Sequence, residues 1–189
     1  MALGLSRAEM SQHLVAAFRE HGYEGASLSV LSQATGLGRS SLYHHFPNGK
    51  ADMAQAALDS VLASFNELVI QPLQQTKQTP LQRLQACAQS LGEFYADGTR
   101  SCLLNIFSIG SASSLFQAQL AANTQAMMQM FSTIAHESGV SAPEAQNRGE
   151  QTVIGIQGAL VISRTLGSKE PFLRFLAQFP ELLLRSESP

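Results

Sequence analysis

Residues 27–52 read SLSVLSQATGLGRSSLYHHFPNGKAD, and their glycines and proline leave room for little except two short helices joined by a tight turn. Ser27 can cap the first helix, because a serine side chain accepts from the orphan amides of an opening turn. Leu28, Leu31 and Ala34 then share its inward face. Gly36 stops that helix: the residue after the last helical one usually takes a left-handed backbone, which glycine adopts without steric cost, and Leu37 folds back onto the core. A second helix begins near Arg39 and ends in the turn Pro47-Asn48-Gly49.

At about 100° per residue, Leu42 and Phe46 fall on one side of the second helix while Ser40, Ser41 and His44 point away and Arg39 and Tyr43 flank them. One side is core and the other is free. Small or hydrogen-bonding residues on a free face let a helix sink into the DNA major groove, where its N-terminal residues meet base edges, and Arg39, Ser40 and Ser41 suit that role. Lys50 opens the next helix against the dipole preference, which a phosphate oxygen at that end would compensate; Asp52 beside it is dipole-matched. Taken together, the segment has the layout of a helix-turn-helix that docks on duplex DNA.

From Gly22-Tyr23 through Leu42-Tyr43-His44-His45-Phe46 to Gly49-Lys50, the sequence resembles the DNA-binding region of TetR-type transcriptional regulators. The resemblance implies a repressor-like homodimer with an N-terminal three-helix reading head, a helical C-terminal domain that holds an inducer, and a palindromic double-stranded operator. By position, Ser27, Tyr43, His44 and Lys50 resemble the family's phosphate contacts, and Arg39, Ser40 and Ser41 occupy its base-reading stretch. Gly38 departs from the family, which often has serine or threonine capping the recognition helix; glycine costs a few tenths of a kcal/mol there. A looser similarity links 158–164 and Pro171-Phe172 to the YxaF/LmrA-like branch.

Overall charge does not advertise a nucleic-acid partner: the formal net charge is −2, and residues 1–50 hold Arg7, Arg19, Arg39 and Lys50 against Glu9, Glu20 and Glu24. Affinity would rest on a few placed contacts and on duplicated heads, with a modest salt dependence. No apolar run approaches the ~20 residues of a membrane span and no targeting segment is read, so a cytoplasmic location and no membrane partner are expected. Two cysteines, Cys87 and Cys102, are too few for a disulfide scaffold.

Nearly everything outside short turns reads as helix, so the expected class is all-α. A helix-turn-helix head over 1–50 would extend into a linking helix, 50–71, and the effector-binding and dimerisation domain would cover 51–189. Ser6 and Glu9 form a capping box before a first helix with the stripe Met10, Leu14, Ala17 and Phe18, ended by Gly22. Met53, Ala57, Val61, Phe65 and Leu68 follow helical spacing along the linking helix. Further helices are expected over 81–96, 102–109, 113–137, 145–166 and 171–185, with Pro180 kinking or restarting the last.

The final two segments are apolar on more than one side, which requires burial on more than one side. One side is expected to meet the chain's own core and another a second subunit, through Gly155, Gly158, Val161, Ile162, Phe172, Phe175, Leu176 and Phe179. In the middle segments Phe94, Tyr95, Cys102, Phe107, Met127, Met130 and Phe131 could wall a pocket for a hydrophobic or electrophilic small molecule, or form plain core. Cys102 follows Arg100 and precedes an apolar helix, a setting that favours a reactive thiolate, while a small buried side chain is the ordinary alternative. No phosphate loop, nucleophile elbow or zinc motif is present, so neither catalysis, a cofactor nor a metal is expected. The competing reading is a helical interaction module that has lost DNA binding.

Overall fold

The computed structural model describes residues 5–185. Their helices are α1 (Arg7–Gly25), α2 (Leu28–Thr35), α3 (Arg39–His45), α4 (Lys50–Phe65), α5 (Gln71–Leu73), α6 (Pro80–Phe94), α7 (Leu103–Phe107), α8 (Gly110–Glu137), α9 (Ala142–Leu166) and α10 (Glu170–Leu184). A π-turn, Asn66–Ile70, lies between α4 and α5, and a 3-10 turn, Ala96–Gly98, follows α6. The fold is all-α, and no strand occurs among the described residues.

Two compact units share the chain. The first takes the described residues up to Ser64 together with Leu103–Gln117; the second takes Phe65–Cys102 and the described residues from Ala118 onward. In the first unit the predicted stripe of α1 is buried throughout, with Leu14 and Phe18 fully enclosed. The capping box forms as expected, Ser6 accepting from the Glu9 amide at 3.2 Å while Glu9 accepts from the Ser6 amide at 2.8 Å. Gly22 interrupts α1 with φ 67° and ψ 176°. Beyond this break Tyr23 stacks on Phe18, and Phe107 from α7 meets both rings edge-on at centroid distances of 5.4 and 5.9 Å. Phe116 of α8 stacks on Phe107 at 5.2 Å. The Glu24 carboxylate accepts from the Ser111 amide at 2.9 Å and from its hydroxyl, and so caps the start of α8. Those bonds hold its pKa below the usual carboxylate range, with the Lys50 charge a smaller cause.

The linking helix is not one α-helix to residue 71. Its π-turn carries more residues per turn than an α-helix, so the inward position after Phe65 falls at Val69, which is fully buried, while Leu68 is 50% exposed. Helix α6 starts at Pro80 because Thr79 and Gln82 make a second capping box and proline suits the first helical position.

In the second unit α10 packs on α9 and α6. It runs unbroken through Pro180, which is buried, instead of restarting there. Phe172, Leu176, Phe179 and Leu183 all turn inward, and burying them is worth about 1.5–3 kcal/mol each, against about 3 kcal/mol for an interior proline. The guanidinium of Arg83 is buried and shared between the Leu73 carbonyl, at 3.0 Å, and Glu137. Gly149 marks a close approach of α9 to α8: a β-carbon there would stand 2.5 Å from the Met128 carbonyl oxygen and 2.3 Å from Ser132 Oγ. Backbone cannot swing aside as a side chain can. Gly149→Ala should therefore lower stability by about 1–3 kcal/mol, read as an earlier urea midpoint at unchanged slope.

Candidate nucleic-acid interface

The geometry of α2 and α3 follows from a few local bonds. Ser27 Oγ accepts from the Val30 amide at 3.3 Å, and Gly36 takes the left-handed conformation, φ 68°, that ends α2. Thr35, buried, donates to the Leu31 carbonyl at 2.8 Å and accepts from the Leu37 amide at 3.4 Å, while the Ser32 hydroxyl donates to the Leu37 carbonyl. These bonds fix the turn. The inward face of α2 is Leu31 and Thr35, whereas Leu28 and Ala34 are only half-buried. Thr35 was not singled out from sequence, although a β-branched hydroxyl four residues after Leu31 and just before Gly36 was the available signal.

Gly38 precedes α3 without a side-chain cap. Leu42 and Phe46 expose no surface, and Arg39, Ser40, Ser41, Tyr43, His44 and Ser27 are all exposed. The structure therefore brings six of the seven predicted contacts to solvent within the α2–α3 segment. Tyr43 lies against Gly49, where a β-carbon would stand 3.4 Å from the ring and the backbone has φ 67°. Asp52 accepts from the Asn48 amide at 2.8 Å and from its side-chain amide at 3.1 Å, closing the turn into α4.

Lys50 is arranged differently. Its ammonium donates to the Tyr23 carbonyl at 2.8 Å and lies 4.4 Å from the centroid of the Tyr23 ring, a cation–π contact. The compensation that sequence reasoning sought from a phosphate is supplied from within the head. Burial, followed by the Glu24 charge, raises the pKa of Tyr23, so its hydroxyl stays neutral.

A sequence profile described as bacterial regulatory proteins, tetR family, matches residues 14–57, from the middle of α1 into α4. Over these residues the chain is similar to the TetR family. Over its whole length it is similar to two helix-turn-helix-type transcriptional regulators of Bacillus subtilis (strain 168). YxaF is 25% identical over 185 residues, 95% of this chain and 96% of YxaF. LmrA is 22% identical over 189 residues, 98% of this chain and 100% of LmrA. A structure of the TetR family regulator CifR, a cysteine mutant complexed with 26-bp double-strand operator DNA, matches the fold with a TM-score of 0.77 at 20% identity. That match covers 96% of this chain and 98% of the CifR chain.

Outside the TetR-type head, the residues proposed to wall a pocket divide. Phe107 belongs to the aromatic cluster of the first unit, fully buried against Phe18 and Tyr23, and is not part of the body. Phe94, Tyr95 and Cys102 do lie together: the two rings meet at 4.9 Å, and the Tyr95 hydroxyl and Gln157 Nε2 each lie 3.6 Å from Cys102 Sγ. Arg100 is bonded to the Phe94 carbonyl. Burial pushes the Cys87 thiol up to about 12, which leaves it inert. Met127 and Phe131 are buried on α8, Phe131 against Phe179, and Met130 is partly exposed. A groove of about 100 Å³ between α9 and α10, lined by Arg148, Gln151, Thr152, Phe175 and Phe179 among others, shares no residue with the pocket set. It is smaller than the roughly 300–1,000 Å³ of ordinary ligand pockets.

The residues proposed for a subunit interface divide as well. Phe172, Leu176 and Phe179 are enclosed within this chain, and a β-carbon at Gly155 would collide with the chain's own Phe175 ring. Those four positions serve internal packing. Gly158, Val161 and Ile162 are exposed, with Phe175 half-buried. Within the head, Lys50→Met should lower the melting temperature by several degrees, because it removes a charged hydrogen bond and a cation–π contact, whereas Tyr43→Phe should leave it unchanged.

Proposed function

We propose that this protein is a homodimeric repressor that reads a palindromic operator with residues 39–44 of each head and leaves it when a small hydrophobic or electrophilic effector occupies the C-terminal domain, 51–189. The observation that carries the reading is the two-sidedness of α3: Leu42 and Phe46 are sealed, and every polar side chain between them and Gly38 is exposed. Arg39, Ser40 and Ser41 would meet base edges from the N-terminal turns of α3. Ser27, Tyr43 and His44 would hold phosphates, and Lys50 would serve by fixing Tyr23. CifR's complex with operator DNA, on the same fold, supports the assignment.

A dimer is favoured by one stripe of α9. Ile154, Gly158, Val161, Ile162 and Leu166 recur at helical spacing and are exposed, Leu166 by 66% and both isoleucines by 50%, and a β-carbon added at Gly158 would meet nothing within 4 Å beyond its own helix among the described residues. Leu173 and Leu182 add exposed apolar surface on α10. A contiguous apolar stripe with a flat glycine at its centre suits a second copy of itself about a twofold axis. An effector that binds better when the heads are wrongly spaced must weaken operator affinity by the ratio of its two affinities. Helical backbone continues from α4 into the π-turn where the first unit ends, and that segment is the proposed lever.

Mobility-shift titration against the chain's own upstream region tests the first claim: wild type should bind specifically, and Arg39→Ala should cost about 1–3 kcal/mol, a loss of roughly five- to 150-fold. Absence of any binding at low salt would favour the interaction module that has lost DNA binding. For the second claim, sedimentation should give a dimer for wild type and a monomer for Ile162→Glu, which buries an unpaired charge in the proposed contact.

A further inference from the structure

Four cations fall within residues 1–50, and their surroundings differ. Lys50 is directed at the Tyr23 carbonyl and ring, and Arg19 is partly buried along α1. Arg7 and Arg39 are exposed. Arg39 opens α3, and Arg7 opens α1, but the two are brought to opposite ends of the same recognition helix. The Arg7 guanidinium lies 5.6 Å from the centroid of the Phe46 ring, and Phe46 is the residue that closes α3 immediately after His45. Like Lys50, Arg7 stands at a helix start, where a cation opposes the dipole. Lys50 is compensated by a carbonyl oxygen; Arg7 meets an aromatic face and keeps its guanidinium at the surface. The Glu9 carboxylate, two residues on in sequence, is held in the capping box with Ser6, and those bonds lower its pKa.

We propose that Arg7 is a phosphate-contacting residue, holding the duplex backbone beside the exit of α3 as Tyr43 and His44 hold it along the helix. The proposal rests on the DNA-binding reading and adds to it a cation from outside the helix-turn-helix. Phe46 has a second task in this arrangement: its buried ring closes the core on one face and steadies the guanidinium on the other.

The test uses a random-sequence duplex, so that no operator need be known, with affinity measured from roughly 50 to 200 mM salt. Each phosphate neutralised adds about 0.9 to the slope of log affinity against log salt. Arg7→Gln should reduce that slope by about 0.9 per engaged head, which makes the affinity loss across the range about 3.5-fold smaller per head. Arg7→Lys should restore the wild-type slope, and both variants should melt with wild type. A slope unchanged in Arg7→Gln overturns the assignment, as does a slope that falls equally in Arg7→Lys, since the effect would then lie in packing against Phe46. A wild type that leaves the duplex unbound at the lowest salt overturns the DNA-binding reading and this assignment with it.

Discussion

With Leu31, Leu42 and Phe46 exposing none of their surface, α3 has a single orientation available to it. Burial of such side chains is worth about 1.5–3 kcal/mol each, so turning the helix over would forfeit at least 3 kcal/mol from Leu42 and Phe46 in a fold whose whole stability is of the order of 5–15 kcal/mol. It would also drive Arg39 and His44 into an apolar core without partners, a further cost of several kcal/mol. The outward row of Arg39, Ser40, Ser41, Tyr43 and His44 is thus a consequence of the inward one. Gly36 and Thr35 set the angle at which α3 arrives, and Gly49 gives the Tyr43 ring a flat place to lie.

What keeps that row steady is a set of bonds from outside the helix-turn-helix. Lys50 ties the start of α4 to the Tyr23 carbonyl, and the adjacent Glu24 caps α8 through Ser111. The break at Gly22 makes both possible, because it turns Tyr23 and Glu24 out of the register α1 would otherwise impose. Tyr23 then joins Phe18, Phe107 and Phe116 in one aromatic cluster. The head is therefore built from sequence-distant pieces: α7 and the first turns of α8 complete it.

That distance explains which features could be read in advance. The ends of α2 and α3 were legible because capping serines, glycines and apolar spacing act within a few residues, and the cap of α1 for the same reason. Phe107 was not: its neighbours Phe18 and Tyr23 lie more than eighty positions away, and its proximity in sequence to Cys102 suggested the wrong company. The π-turn at 66–70 leaves no mark in hydrophobic periodicity, since Leu68 and Val69 are equally apolar and only the wider turn decides between them. Excess apolar content on α9 and α10 was visible, but dividing it was beyond any single helix. Phe172, Leu176 and Phe179 turn inward because α6, α8 and α9 present partners there, and Ile154, Val161, Ile162 and Leu166 remain outside.

The scarcity of surface cations on the head and the bare stripe on α9 bear on each other. A head whose Lys50 is bonded internally and whose exposed arginines are Arg7 and Arg39 gains little non-specific attraction to phosphate, so one head alone would bind duplex DNA weakly. In the proposed dimer the second head binds at an effective concentration set by the first, and useful affinity arises only when both sit about 34 Å apart, one helical turn or a multiple of it along the groove. Weak individual heads make the pair more sensitive to spacing, because a displaced head cannot hold on by charge alone. A small change of separation then costs nearly all of the avidity. An effector in the C-terminal unit would need only a modest preference between two spacings to release the operator, and a strongly basic head would blunt that response.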